Sequence, residues 1–239
     1  MDAIIRAVVA LVHVAAELMG LWVLFSNTRS LNGWTVWQTV ALLGVFRVMV
    51  ASIRLFIAPN MRQTMEDIRN GTLDFVLLRP VATLFLASFR RVVMVELFDV
   101  LLGLSMTSVA VVKLRGTISV AGLASFVLLV CAGVLICYAI WLSLATLSFW
   151  FTRVANIEMI FWNLFEVGRY PVDIYPPMMR RLLTYVIPVA FITTVPAQAA
   201  CQPIAPLKLL FGLAVGSALL AAAARFWRYG LRHYSGASA

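Results

Sequence analysis

The chain has 239 residues, of which 63% are apolar and only 12% charged, about half the ~25% charge of an ordinary soluble domain. That balance excludes soluble enzymes, disordered tails and secreted disulfide scaffolds. The net charge of +9 comes from 19 basic against 10 acidic residues. With this hydropathy the excess reads as the Arg and Lys of membrane-flanking loops, not as a nucleic-acid surface, and no nucleic-acid partner is expected.

A helical span needs about 20 apolar residues, so the length fits an all-α polytopic membrane protein of six transmembrane helices in one domain. Residues 3–25 form the first predicted span; His13 and Glu17 interrupt the apolar run and no small-residue cleavage site follows, so it reads as a retained helix. A polar turn leads to span two, 35–58, with Trp34 and Trp37 as interfacial anchors at its start and Pro59 as its stop. Residues 59–80 are too charged to span. Spans three and four lie at 88–112 and 120–151, separated by the hairpin KLRGTIS, and span four ends at Arg153. The stretch 155–169 is short, a proline-punctuated segment follows to about 205, and residues 206–227 form the last span before a basic tail. Membrane lipids are the expected surroundings throughout.

Six spans put both termini on one side. Placing that side in the cytoplasm assigns it eleven basic residues against seven outside, with Arg47 embedded. Arg180 and Arg181 fit this layout poorly. Charge alone favours 153–181 inside and a fifth span at 182–200.

Signals for chemistry are sparse. His13 and His233 stand at opposite ends, the three cysteines read as small apolar fillers, and neither a phosphate-binding glycine loop nor a metal or nucleophile motif occurs. No cofactor is expected on the chain itself. A polytopic lipid-modifying enzyme would need a catalytic cluster, and an ATP-independent carrier tends to show inverted repeats; neither feature is evident.

Two groups of residues stand out. In 59–80, helical spacing puts Met61, Met65, Ile68 and Phe75 on one apolar face and leaves Arg62, Glu66, Asp67, Arg69 and Asp74 on the other, with Gly71 as a break and Pro80 as a stop. The segment is either a connecting interfacial helix or a docking helix for a cytoplasmic partner. The embedded charges are Glu17, Arg47, Arg54, Glu96 and Asp99. A charge at the bilayer centre costs about 2.5–3.5 kcal/mol on insertion scales, so Arg47 and Arg54 are expected to pair with Asp99 and Glu96, with Glu17 as a third acid. Gly212 and Gly216, with Ala218 and Ala222, give a small-residue packing stripe.

The run IRNGTLDFVLLRPV (68–81) resembles the I-x-x-G-x-L-D-x-x-L-L-R-P-V stretch of bacterial ABC transporter permeases of the type-two exporter fold, in a subgroup formerly classed as a domain of unknown function. A second block, RYPVDIYPPMMRRLLTYVIPVAFITTVPA (169–197), resembles the segment before the last span in that subgroup, and LNGWT and WRYGLRHYSGAS fit its first outer loop and its end. The resemblance implies a half-transporter: a multi-pass protein of the bacterial inner membrane, both termini cytoplasmic. It pairs with a second permease, copy or paralogue, and with a dimer of separate ATPase subunits that bind the ATP and Mg. It implies that 59–80 carries the coupling helix, with Met61, Arg62, Met65, Glu66, Asp67, Arg69, Gly71 and Asp74 at the contact. It places span five at 155–169, and Tyr170, Pro171, Tyr175, Pro176 and Pro188 in outer re-entrant helices at 170–201. Spans two and five would then line the path, mixing Phe46, Met49, Met159, Phe161, Trp162 and Phe165 with Arg47, Glu158 and Glu166, walls that suit an amphipathic or lipid-like cargo.

Overall fold

A computed structural model describes residues 3–78, 83–114, 119–151 and 155–234. The expected stops at Pro80 and Arg153 and most of the KLRGTIS hairpin lie outside these residues. The described chain is almost wholly helical: α1 (Ala3–Ser26), α2 (Val36–Ser52), α3 (Ala58–Arg69), α4 (Asp74–Leu77), α5 (Thr83–Ser88), α6 (Leu97–Lys113), α7 (Val120–Leu147), α8 (Ala155–Glu166), α9 (Pro177–Arg181), α10 (Val195–Cys201) and α11 (Pro206–Arg232). Among the described residues five helices are long and apolar enough to cross a membrane, and a bent pair, 177–186 with 190–201, passes the same test together.

Local chemistry sets the boundaries. Between α1 and α2, Asn32 (φ +48°) and Gly33 (φ +89°) make a tight reversal, closed by paired hydrogen bonds between Leu31 and Trp34. Thr35 then starts α2 with a reciprocal cap to Gln38, and Ser119 caps α7 through the Gly122 N–H.

Pro59 does not stop the second span. α2 runs through a π turn (Ile53–Ile57) into α3, giving one helical run from Val36 to Arg69. The proline lacks the N–H that would bond the Leu55 carbonyl in an α-helix. The wider turn accommodates its ring, and the Leu55 carbonyl accepts the Val93 N–H instead, at 2.8 Å. A second π turn (Ala190–Thr194) likewise ends two residues before a proline, Pro196. At 34 residues the run is about 51 Å long, well beyond a ~30 Å hydrocarbon core. A membrane entered at Val36 is left near Leu55, so α3 projects past it.

Other boundaries also move. Span three begins with the unwound strap 89–93 and a 3-10 turn before α6; α7 ends at Leu147; and α8, at 12 residues, is about 18 Å long, too short to cross alone. It reaches further through the turns Val167–Arg169 and Val172–Ile174.

Cross-contacts fix which ends meet. Arg62 pairs with Glu158, and Arg6 with Glu96, at one end of the bundle. Trp34, Asp173, Gln198 and Lys208 join at the other. The start of α1 and the end of α11 therefore lie at the Arg62 end, with α3. The bent pair leaves and regains the Trp34 end: Asp173 precedes it, Gln198 closes it, and the two share a hydrogen bond. Between them the chain dips as far as Gly133 of α7, where Ile192 packs. It is a hairpin bent by 77° whose two ends meet at one end of the bundle.

Helices α2 and α6 make the closest seam. A Cβ on Gly44 would sit 2.4 Å from Thr107 Oγ1 and 2.6 Å from the Gly103 carbonyl, and one on Gly103 would sit 2.6 Å from the Gly44 carbonyl. Gly212 and Gly216 let α11 lie against Leu129 and Ala132 of α7.

Candidate coupling arm and embedded charge sites

The projecting arm is built around Asn60, a residue the sequence did not single out. Its buried side chain donates to the carbonyls of Phe56 and Arg91 and accepts the backbone N–H groups of Arg90 and Arg91, both at 2.9 Å. One amide thus fastens the strap 89–93 to α3. Asp67 completes the fastening. It bonds Arg90 at 2.5 Å and accepts from Gln63 and Thr72. Expected on the wet face, Asp67 is instead buried, because the strap lies across that side of α3.

Glu66 and Arg69 are exposed, Met61 and Ile68 are buried, and Met65 is half-buried. Gly71 has φ +71°, a conformation that disfavours a side chain. The turn it makes ends the helical register, so Phe75 does not share the Met61 face: Leu73 and Val76 are buried, while Phe75 is 71% and Leu78 82% exposed. Asp74 is half-buried beside the C-terminal end of the described chain; burial raises the Tyr234 phenol above its usual pKa, and the charge of Asp74 adds to the rise. The tip of the arm therefore offers Glu66, Arg69, Phe75 and Leu78.

Arg62 is exposed but not free. Its guanidinium grips both carboxylate oxygens of Glu158 and lies 5.9 Å over the Trp141 ring. Glu158 also accepts from Trp162 Nε1. Two residues assigned to different roles, arm and path, are thus one contact that ties α3 to α8.

Arg47, Asp99 and Glu17 form the deepest ion cluster. Arg47 bonds Asp99 at 2.5 Å and Glu17 at 3.1 Å, with its own side chain 10% exposed. It sits one turn beyond Gly44, and Asp99 one turn before Gly103, so the glycine seam brings the charges within reach. The cluster faces α1 and α6. Arg47 therefore does not join the α2–α8 wall, contrary to its expected place. Arg54 meets Glu96 only at longer range: its charge acts on that carboxylate, but among the described residues it makes no ion pair within 4 Å, and it lies 5.6 Å over the Trp162 ring. Glu96 goes to Arg6 at 3.5 Å.

The contact between α2 and α8 is aromatic and buried: Phe46, Met49, Phe161 and Phe165, expected to line the path, instead pack into the core of the described chain. Phe46 stacks on Phe165, Phe165 on Phe161, and Trp141 meets Phe161 and Trp162 edge-on. Met159 faces outward, and Met49 lies against Gly133 of α7. Beyond Phe165, Glu166 pairs with Arg169 at 2.8 Å, and Arg169 lies over the Phe46 ring.

The hairpin is anchored at Asp173. Asn32 donates to its carbonyl, and Trp34 Nε1 donates to its carboxylate at 3.1 Å. Trp34 is accordingly buried at 7% exposure and does not serve as an interfacial anchor. Tyr170 and Pro176 are exposed; Tyr175 is half-buried and donates to the Val167 carbonyl; Pro171 and Pro188 are buried, Pro188 beside the hairpin's bend. Gly168 admits the hairpin to α8, where a Cβ would meet Val189 at 2.8 Å. Sequence spacing does not point to Asp173 as a hub, since apart from the nearby Arg180 its partners are 25 and 139–141 residues away. Among the described residues no group of three or more His, Cys, Asp or Glu could hold a metal.

A family model described as ABC-2 family transporter protein matches residues 11–238. No curated protein matches the chain.

Proposed function

The chain belongs to the ABC-2 family of transporter proteins and is a multi-pass permease subunit of an ABC transporter; on that premise we propose that it forms the translocation path of an ATP-driven exporter with a second permease, copy or paralogue, and two separate ATPase subunits. Association with an ATPase subunit is implied by the family. ATP and Mg bind to that partner, and the chain itself is the non-catalytic membrane component.

The observation that carries the reading is the arm. A helix continuous with a membrane span projects past it, is bolted by Asn60 and Asp67, and presents Glu66, Arg69, Phe75 and Leu78 at its tip. Such a part transmits force, because its base is rigid and its tip is free. Its end of the bundle also carries Arg6, Arg62, Arg69, Arg90 and Arg91, which supports a cytoplasmic position for it and for both termini. The opposite, outer end then holds the re-entrant hairpin. A bacterial inner-membrane location is part of the same proposal, supported by the family assignment. The proposed amphipathic or lipid-like cargo rests on the apolar character of the spans, since Phe46, Phe161 and Phe165 pack on one another and are buried.

The test is cargo-stimulated ATP hydrolysis by the reconstituted transporter. Glu66→Lys with Arg69→Glu should weaken stimulation and leave assembly intact, since each exposed rim charge is worth about 0–1 kcal/mol. Phe75→Ser with Leu78→Ser should weaken assembly itself. Wild-type stimulation and assembly in both variants would make the arm a passive connector.

A further inference from the structure

We propose that the chain carries a binding site for an anionic glycerophospholipid, with one acyl chain in a groove between α1, α2 and α6 and the phosphate at Lys113. The ion cluster of Glu17, Arg47 and Asp99 pins α1 to its neighbours at mid-depth. From there to the Trp34 end the three helices leave an apolar groove of about 610 Å³, lined by Leu18, Trp22, Phe25, Trp37, Val40 and Met106. That volume is in the range of small-molecule sites. Left empty, its walls would forfeit their dispersion contacts on one side; an acyl chain supplies them without any polar group to satisfy.

The rim chooses the headgroup. Lys113 does not line the groove, but its Nζ lies 5.9 Å over the ring of Trp37, which does. Arg29, in the loop three residues after the groove-lining Ser26, is exposed. Residues 18–38 and 100–114 contain no Asp or Glu. The acid that meets these segments at the same end, Asp173, is engaged by Trp34 and Arg180; the two rim cations favour a lipid of net negative charge over a zwitterionic one, at about 1 kcal/mol per basic residue near the headgroups.

The test uses the intact chain in vesicles that mix phosphatidylglycerol with phosphatidylcholine, with bromine on the acyl chains of one lipid or the other. The groove signal is the tryptophan fluorescence lost in a Trp22→Phe, Trp37→Phe variant. Brominated phosphatidylglycerol should quench that signal more than brominated phosphatidylcholine at the same mole fraction. Lys113→Gln should weaken the preference about fivefold, Lys113→Arg should keep it, and Ser105→Phe, which fills the groove, should remove quenching by both. Equal quenching by the two lipids in the wild type overturns the proposal, as does a preference unchanged by Lys113→Gln or quenching unchanged by Ser105→Phe. A groove signal shielded from both lipids means that a protein chain covers the groove, and also overturns it.

Discussion

Removing the acids around Arg47 should reveal that the cluster is a mutual compensation of charges. Asp99 and Glu17 hold the guanidinium at 2.5 and 3.1 Å, and Arg47 Nε is already buried without a partner. Asp99→Asn alone leaves Glu17 in place, so its loss should fall at the low end of the about 1.5–3 kcal/mol range for a hydrogen bond to a charged group. Glu17→Gln should cost a similar amount. Together they leave a buried cation with no counter-charge, which costs about 3–5 kcal/mol. The informative step is Arg47→Met. On the wild type it destabilises, because two carboxylates are left facing each other. On the double variant it should restore stability, because no charge then remains to compensate. The assay is equilibrium unfolding of the purified chain in detergent, followed by tryptophan fluorescence. If Arg47→Met destabilises both backgrounds equally, the three side chains do not act as a charge cluster. Because the cluster faces α1 and α6, transport by Arg47→Ala should fall only in proportion to its stability.

Gly103→Ala would drive a Cβ to 2.6 Å from the Gly44 carbonyl; overpacking should cost about 1–3 kcal/mol, read by the same unfolding assay. Asn60→Ala frees the part-buried N–H groups of Arg90 and Arg91, at no more than about 1–3 kcal/mol in all, the range for one fully buried donor, and hydrogen exchange of these two amides should rise before global unfolding. Gly71→Val forces a β-branched residue to φ +71° at about 1–2 kcal/mol; it should lower cargo-stimulated ATP hydrolysis more than assembly, and an unchanged ratio would remove the turn from the coupling path. Breaking the Arg62–Glu158 contact by Glu158→Gln should lower the same stimulation, and the charge swap Arg62→Glu with Glu158→Arg should recover part of it.

The helical membrane class and the approximate spans were legible because hydropathy is a local property of 20 residues. The pairing of Arg47 with Asp99 and Glu17 was legible for a related reason: depth along antiparallel helices can be counted from either end. What local counting missed was set by contacts far apart in sequence. Pro59 reads as a stop, yet the strap around Val93 takes up the carbonyl it frees, and the helix continues. Asp67 reads as exposed on a helical wheel, but the same strap covers it. Phe75 was placed on the Met61 face by a period that holds only while the helix is unbroken, and Gly71 breaks it. Arg54 and Glu96 match in depth, yet the direct ion pair to Glu96 comes from Arg6 of α1, while Arg54 lies over the Trp162 ring. Asn60 lies in no motif, and its importance is the number of backbone groups that converge on it; Asp173 lies within the 169–197 block, but its importance is the distant side chains of Asn32, Trp34 and Gln198 that meet it only in the fold.

The most direct measurement is purification of the tagged chain from its native membrane, with stoichiometry, ATP hydrolysis and cysteine cross-linking measured on the product. The expected result is an equal amount of an ABC ATPase subunit, cross-linked through cysteines placed at Glu66 and Arg69 and not through one at Tyr170, with hydrolysis lost when that subunit is stripped away. Hydrolysis that stays with the chain alone, or an ATPase cross-linked at the Tyr170 end, would contradict the assignment of the arm and the orientation together.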